Sequence, residues 1–327
     1  MSGGIHYWLR ENKGTVLAFV AFVAMFALYA ANHPAGLNAN VATTAANKGT
    51  ILAIVAMAQT LVVLTSGIDL SAGMVMVLAN CLASHIVVGS LPSALLGALG
   101  VLAVGALCGA VNALIVIFGR LQPIVTTIAT GSIFYGVALA LRPVPGGDVN
   151  AALADALTGQ IAGVIPSSLL LLLGLVVVVW WPFRRSVVGR AVYAVGSSEM
   201  AAYMSGVPIR RAKFVAYTLS GLLASVAGLF VTFVTYSGEA SAANGGTYTL
   251  YSIAAVVLGG VSLFGGSGSA IGAIFGALMF RTIGDLLFVF NVEPLWQPLF
   301  QGVVLTAAVC LGSLRLLRIR NRLELYG

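Results

Sequence analysis

LLLLLGLVVVVWW, the stretch Leu169–Trp181, decides the fold class. It contains no charged residue, and it does not alternate apolar with polar positions as the strands of an outer-membrane barrel do. Similar runs recur along the chain, because 60% of the 327 residues are hydrophobic and only 8% are charged. With a mean hydropathy of +1.04, the chain has too few charges to cover a water-facing surface. The sequence therefore excludes a soluble globular enzyme and predicts an all-α, polytopic membrane protein.

Apolar runs of about 20 residues predict about ten transmembrane helices, which form one integral-membrane domain over residues 1–327. An even number of spans places both termini on the same side of the membrane. The predicted spans are about Thr15–Ala31, Ile51–Thr65, Leu70–Val88, Pro92–Phe118, Ile124–Leu141, Ile165–Trp181, Phe214–Tyr236, Thr249–Phe264, Ala270–Phe290 and Leu295–Leu314.

The positions of lysine and arginine predict the orientation, since these residues favour cytoplasmic connections. The outer connections hold only Lys48 and Arg142, whereas Arg281 falls within a span. We therefore predict that both termini are cytoplasmic. The other thirteen of the 16 basic residues then lie in inner segments: Arg10, Lys13, Arg120, Arg184, Arg185, Arg190, Arg210, Arg211, Lys213, Arg315, Arg318, Arg320 and Arg322.

Two connections are longer than the rest. The segment of about residues 142–164 is predicted to be a periplasmic loop, and the basic segment of about residues 183–213 is predicted to be cytoplasmic. In the cytoplasmic segment Ser198 can cap a short helix, which Gly206 and Pro208 would end. Such a helix would be a docking element for a partner. A plain basic connecting loop is the alternative.

Two glycine-rich turns are similar to each other. GIDLSAG (Gly67–Gly73) aligns with GVSLFGG (Gly260–Gly266), so that Gly, a β-branched residue, Leu and Gly recur at the same steps. Both turns are predicted at the cytoplasmic side, after the second and the eighth span. A parallel duplication of the kind found in transporters would produce this pattern. Chance similarity between glycine-rich turns is the alternative.

Ionisable residues within a membrane domain are candidates for function. Asp69 lies at the turn after the second span, where it is expected to cap the next helix rather than to relay protons. Arg281 and Asp285 are four residues apart in one span and share a helix face. We expect them to form an ion pair that is structural or interface-forming, with a pathway-lining role as the alternative.

Uncharged polar side chains within the spans suit a neutral polyhydroxylated solute better than an ion. Each of them could equally hold two helices together. These further candidates for the pathway or pore interface are Gln59, Asn80, Asn112, Thr126, Thr127, Thr130 and Tyr135. The sequence contains no P-loop, no metal-ligand spacing and no Ser/His/Asp set. We therefore expect no catalytic residue, no cofactor and no metal.

Several stretches resemble the permease subunits of bacterial ribose/galactose-type ABC sugar importers, in the same order and from about Ala45 to the end of the chain. They are VVLTSGIDLSAG (Val62–Gly73), QPIVTTIATGSIFYGVAL (Gln122–Leu139), VGRAVYAVGSSEMAAYMSGV (Val188–Val207), VVLGGVSLFGGSGSAIGAIFGAL (Val256–Leu278) and PLWQPLFQGVVLTAAV (Pro294–Val309).

The resemblance implies roles for two sets of residues. The coupling loop of that family, which contacts the ATPase, corresponds here to Gly189, Arg190, Gly196, Ser198, Ala202, Ser205 and Gly206. Glu199, the sole acid of this segment, is expected to meet a basic group on the ATPase. The turn signature, with an expected role in gating, corresponds to Gly67, Asp69, Ser71, Gly73, Gly265 and Gly266.

The resemblance also implies a function, which is transport of a monosaccharide or related polyol across the bacterial inner membrane. The chain would be the permease subunit of an ATP-driven, binding-protein-dependent importer without an ATPase site of its own. Its implied partners are an ABC ATPase with tandem nucleotide-binding domains, a periplasmic sugar-binding protein, a second permease chain in a homo- or heterodimer, and membrane lipid, but no nucleic acid. The alternative is an ion-gradient-driven secondary transporter, for which only Asp285 is well placed. A passive solute channel is a third hypothesis.

Overall fold

The computed structural model describes residues 13–304, 306, 307 and 310, and nearly all of its elements are helices. The longer helices are α1 (Lys13–Asn32), α2 (Ala39–Val63), α3 (Ala72–Ile86), α4 (Leu91–Phe118) and α5 (Pro123–Leu141). The short elements that follow are α6 (Ala151–Thr158), β1 (Gln160–Ile161) and β2 (Ile165–Pro166). Next come α7 (Ser167–Leu175), a π-helix (Val176–Trp180), α8 (Trp181–Arg185), α9 (Val187–Ser197) and α10 (Glu199–Met204). The last elements are α11 (Ile209–Thr235), α12 (Ala242–Leu258), α13 (Ala270–Val289), a 3-10 turn (Pro294–Trp296) and the helical residues 297–304.

Seven helical segments of the described chain are long and apolar enough to cross a membrane. They are α1, α2, α4, α5, the continuous segment from α7 to α8, α11 and α13. The apolar helix α3 is shorter. This confirms a nearly all-helical protein with several potential spans, whereas a count of ten stays a prediction. Both termini lie outside the described residues, together with Arg10, Arg315, Arg318, Arg320 and Arg322.

The second helix begins earlier than predicted. Helix α2 starts at Ala39 rather than near Ile51, and the Asn38 side chain caps it by accepting the N–H of Val41 at 2.9 Å. Lys48 therefore lies within α2, so its predicted place in an outer connection was wrong. The polar residues of this first part of α2 have the composition of a loop, although they continue the same helix.

Helix α2 lies at the centre of the molecule. Residues 51–65 are all buried, and α2 packs against α11, α12 and α13. In contrast, α4 and α5 expose large apolar side chains, such as Leu96 at 70% and Ile133 at 63%. Exposed apolar faces of this kind fit contact with lipid hydrocarbon.

The bundle has two ends that carry different connections. The basic end carries residues 183–213 together with the turns after α2, α4 and α12. The opposite end carries residues 142–166, where α6 and a two-stranded hairpin form, neither of which was predicted. Ala162 and Gly163 have positive φ angles at the hairpin turn. A backbone bridge between Gly146 and Gly238 joins this loop to the end of α11.

Candidate functional site

The segment of about residues 183–213, which was predicted to be cytoplasmic, contains the two short helices α9 and α10 at the basic end. The predicted helix is confirmed as α10, with the N–H of Ala201 donating to the capping Ser198 Oγ at 3.3 Å. Gly206 follows α10 with a φ of +71°, which glycine adopts without strain. The preceding helix α9 was missed, although Ser186 caps it by accepting the N–H of Gly189 at 2.9 Å.

Helix α9 is fastened to the turns after α2 and α12. The carbonyl of Leu64 accepts the N–H of Gly266 at 3.2 Å. A Cβ on Gly196 would lie 1.9 Å from that same Leu64 carbonyl oxygen, so only glycine fits there. The Ser66 hydroxyl lies 2.9 Å from the carbonyl oxygen of Gly196 and 2.7 Å from that of Phe264. We call these contacts among residues 64–66, 196 and 264–266 the turn clamp.

Tyr193 adds a second link between α9 and the turn after α12. Its hydroxyl donates to the carbonyl of Gly268 at 2.7 Å. Burial raises the pKa of Tyr193, although the neighbouring Arg184 acts in the opposite direction. The phenol therefore keeps the proton that this hydrogen bond needs. Leu64 and Ser66, just before the first of the two similar segments, thus contact the second segment directly, and both turns also contact α9.

Helix α10 presents an exposed apolar face. Met200, Tyr203 and Met204 are 70%, 72% and 82% exposed. Glu199 is also exposed, and Lys213 donates to both of its carboxylate oxygens at 2.8 Å. Glu199 therefore already has a partner within the chain, and the remaining free surface of α10 is largely apolar.

Asp69 lies behind the turn clamp and is fully enclosed. Its Oδ1 accepts the N–H of Ser71 at 2.9 Å and the Ser71 hydroxyl at 2.6 Å, while its Oδ2 accepts the Ser220 hydroxyl at 3.2 Å. The carboxylate thus lies at the first turn of α3, as predicted for a capping role, and it also reaches α11. A buried carboxylate with three donors is well satisfied.

Hydrogen bonds extend from Asp69 to two more helices. Asn112 of α4 donates to Ser71 Oγ at 2.8 Å, and Thr130 of α5 donates to Asn112 Oδ1 at 2.6 Å. The Leu70 N–H donates to Thr127 Oγ1 at 2.9 Å. The amide of Gln59, oriented to bond both backbone groups of Asp69, donates to the Asp69 carbonyl at 2.9 Å and accepts the Asp69 N–H at 3.2 Å. We call this set the Asp69 network.

The other predicted polar residues lie apart from that network. Asn80 donates to Thr232 Oγ1 at 2.9 Å and to the Ser237 carbonyl at 3.1 Å, and its Oδ1 accepts the Glu239 N–H at 2.8 Å. It therefore joins α3 to the end of α11. Thr126 is buried in α5, and Tyr135 is half-buried against the main core.

The predicted ion pair between Arg281 and Asp285 was wrong. Asp285 Oδ1 lies 3.7 Å from Lys48 Nζ of α2, and Arg281 makes no ion pair within the described residues. Spacing of four residues places two side chains on one face of a helix, but it does not exclude a closer partner on the next helix. A predicted helix that begins near Ile51 leaves Lys48 outside it, so the sequence does not indicate Lys48 as a partner of Asp285.

Glycine allows close helix contact beside the turn after α2. The Gly73 N–H donates to Thr249 Oγ1 at 3.1 Å, and a Cβ on Gly73 would lie 1.9 Å from the carbonyl oxygen of Gly245. Helix α3 therefore touches α12 through backbone atoms. Gly265 and Gly266 have φ angles of +85° and +68°, which the tight turn after α12 requires.

Comparison with known proteins identifies the class of this chain. A family model described as the permease component of the branched-chain amino acid transport system matches residues 41–309. The chain therefore belongs to this family of importer permeases, and it is a multi-pass protein of the bacterial inner membrane.

Individual relatives cover nearly the whole chain. The ribose import permease protein RbsC of Escherichia coli strain K12 is 33% identical over 313 residues, which are 94% of each chain. The autoinducer 2 import system permease protein LsrC of Enterobacter sp. strain 638 is 34% identical over 315 residues, or 94% of this chain and 89% of its own. RbsC of Bacillus subtilis strain 168 is 34% identical over 261 residues, or 79% and 80%. No solved structure matches the chain.

Proposed function

We propose that this chain is the transmembrane permease subunit of an ATP-driven, binding-protein-dependent importer for a monosaccharide or related polyol. The relatives that import ribose and autoinducer 2 support a small polyhydroxylated solute. Energy would come from a partner ATPase, because the sequence contains no P-loop.

The turn clamp is the observation that carries this proposal. An ATPase that docks on the exposed face of α10 would also move α9, because α9 directly precedes α10 in the chain. Because Gly196 packs on the Leu64 carbonyl without space between them, α9 cannot move far without moving the turn after α2. The same displacement would reach the turn after α12 through Ser66 and Tyr193.

The Asp69 network offers the next step inward. The turn after α2 leads directly to Asp69, whose hydrogen bonds join α3 and α11, and Ser71 links them to α4. A shift of this turn would therefore change the relative positions of several helices. We propose that this rearrangement switches the pathway between outward and inward access, with a second permease chain completing the pore.

We further propose ten spans with both termini and the basic end in the cytoplasm, so that residues 142–166 face the periplasmic binding protein. A cysteine introduced at Ser197 in a cysteine-free background should be labelled only from the cytoplasm. One introduced at Asn150 should be labelled only from the periplasm. The reverse labelling would contradict this orientation.

Dependence on the partner ATPase tests the function itself. Uptake of labelled ribose, the first sugar to try, is measured in cells that express the permease with its ATPase and binding protein. Uptake should stop when the ATPase is inactivated and should continue with a protonophore while ATP is maintained. Uptake that follows the proton gradient without the ATPase would instead favour an ion-driven transporter.

A further inference from the structure

A groove with a basic rim opens at the basic end, outside the turn clamp and the Asp69 network. It has a volume of about 690 Å³ and lies between the end of α4, the start of α5, α10 and the start of α11. Four cationic side chains and one acidic side chain line it, namely Arg120, Arg210, Arg211, Lys213 and Glu199. Since Lys213 and Glu199 pair with each other, the three arginines leave a positive charge of three on the rim.

These arginines are available to a ligand. Arg120, Arg210 and Arg211 are exposed, and none of them makes an ion pair with any residue that the structure describes. The first turn of helix α11 lines the groove, and no side chain caps this end of the helix. The N–H groups of Arg210 and Arg211, in its first turn, donate to no acceptor in the described chain. Free N–H groups beside arginine side chains suit the oxygens of a phosphate group.

The walls of the groove are apolar and continue into the lipid-facing surface. Val116, Ile117, Leu121 and Ile209 line it. Leu121 is 51% exposed, and Phe118, directly beside the groove, is 64% exposed with the Arg210 guanidinium 5.7 Å from its ring centre. On α5, Ile124 and Val125 continue this exposed apolar surface. A ligand that fits both parts needs an anionic head and a hydrocarbon tail.

We propose that this groove binds an anionic phospholipid of the cytoplasmic leaflet. Its phosphate would lie among Arg120, Arg210 and Arg211, with the free N–H groups of α11 as further donors. Its acyl chains would follow the exposed face of α4 and α5. A basic pocket between helix ends on the cytoplasmic side suits a lipid headgroup, whereas an acidic protein surface would not need the apolar walls that run into the lipid-facing belt.

Native mass spectrometry of the purified chain, titrated with phosphatidylglycerol or phosphatidylcholine, tests this site. We expect a preference for phosphatidylglycerol, which Arg210→Gln with Arg211→Gln lowers about 25-fold, since each basic residue near an anionic lipid contributes about fivefold. Arg184→Gln with Arg185→Gln is the matched control. It removes the same charge from an adjacent pair at the same end, and it should change the preference less than about threefold.

A second variant protects the test against misfolding of the first. Arg120→Gln alters only the opposite wall of the groove and should lower the preference about fivefold. Equal losses in the groove and control pairs, or no loss in either groove variant, would overturn the proposal. Displacement of the lipid by millimolar inorganic phosphate would assign the site to a soluble anion instead. Unchanged lipid binding together with weakened co-purification of the ATPase would assign it to a protein partner.

Discussion

The two ends of the bundle are fastened by different kinds of contact. At the basic end, Gly196 meets the Leu64 carbonyl in a buried contact that has no space for a side chain. At the opposite end, exposed side chains make several of the contacts, such as that of Gln160 with Asn40 at 2.9 Å. The exposed Tyr236 hydroxyl likewise donates to the exposed Asp155 carboxylate, and this hydrogen bond raises the pKa of Tyr236. A close backbone contact transmits displacement, whereas exposed side chains can bend. The basic end is therefore built to pass on a movement. At the opposite end the backbone bridge between Gly146 and Gly238 fixes the start of the loop, whereas residues 151–166 are freer to adapt to a partner.

Substitution of glycine at the two ends should separate them most strongly. Gly196→Ala places a methyl group against a backbone carbonyl that cannot move independently, so we expect a loss of about 3 kcal/mol of stability and of most uptake. Gly246→Ala near the opposite end is the control, because nothing lies within 4 Å of its added Cβ. Thermal unfolding in detergent and uptake in cells measure both effects. Similar effects of the two substitutions would remove the distinction between the ends.

A pair of aspartates gives the next largest contrast. Asp69→Ala leaves three buried donors without their acceptor and should lower the free energy of unfolding by about 2 kcal/mol. Asp155→Ala at the opposite end should cost less than about 0.5 kcal/mol, because water replaces the lost partner of the exposed Tyr236 hydroxyl. Denaturant unfolding in the same detergent compares them. Equal costs would mean that the Asp69 network does not stabilise the inner side of the basic end.

The ion pair at Asp285 should give the smallest effect. A double-mutant cycle with Lys48→Ala and Asp285→Ala is expected to yield a coupling free energy of about 0.5 kcal/mol, as for other partly exposed pairs. The cycle of Arg281→Ala with Asp285→Ala is its control and should yield a value near zero. Coupling in the second cycle and none in the first would restore the pair expected from helical spacing.

Local patterns in the sequence predicted the parts of the site that depend on neighbouring residues. Ser198 and Gly206 marked the ends of α10 correctly, because capping and a positive φ are properties of a few consecutive residues. Helix α9 was missed since Gly189 and Gly196 weaken a helical pattern. Packing explains both glycines, because at each of them α9 contacts the backbone of another segment.

Contacts between distant segments could not be predicted in the same way. The polar composition of residues 39–50 predicts a connection, so it does not indicate that Lys48 lies in α2 as the partner of Asp285. The uncharged candidates Gln59, Asn112 and Thr130 were grouped only by residue type. Their hydrogen bonds to one another and to Asp69 depend on how α2, α4 and α5 pack.

The most direct test of the turn clamp is ATP hydrolysis by reconstituted complexes that contain Ser66→Ala. This change removes only the hydroxyl between the Gly196 and Phe264 carbonyls, and Ser132→Ala, which removes an exposed hydroxyl of α5, is the control. If the clamp couples the ATPase to the pathway, Ser66→Ala will keep basal hydrolysis but lose about tenfold in the stimulation by sugar-loaded binding protein, which corresponds to about 1.4 kcal/mol of coupling. Stimulation equal to that of Ser132→Ala would contradict the account.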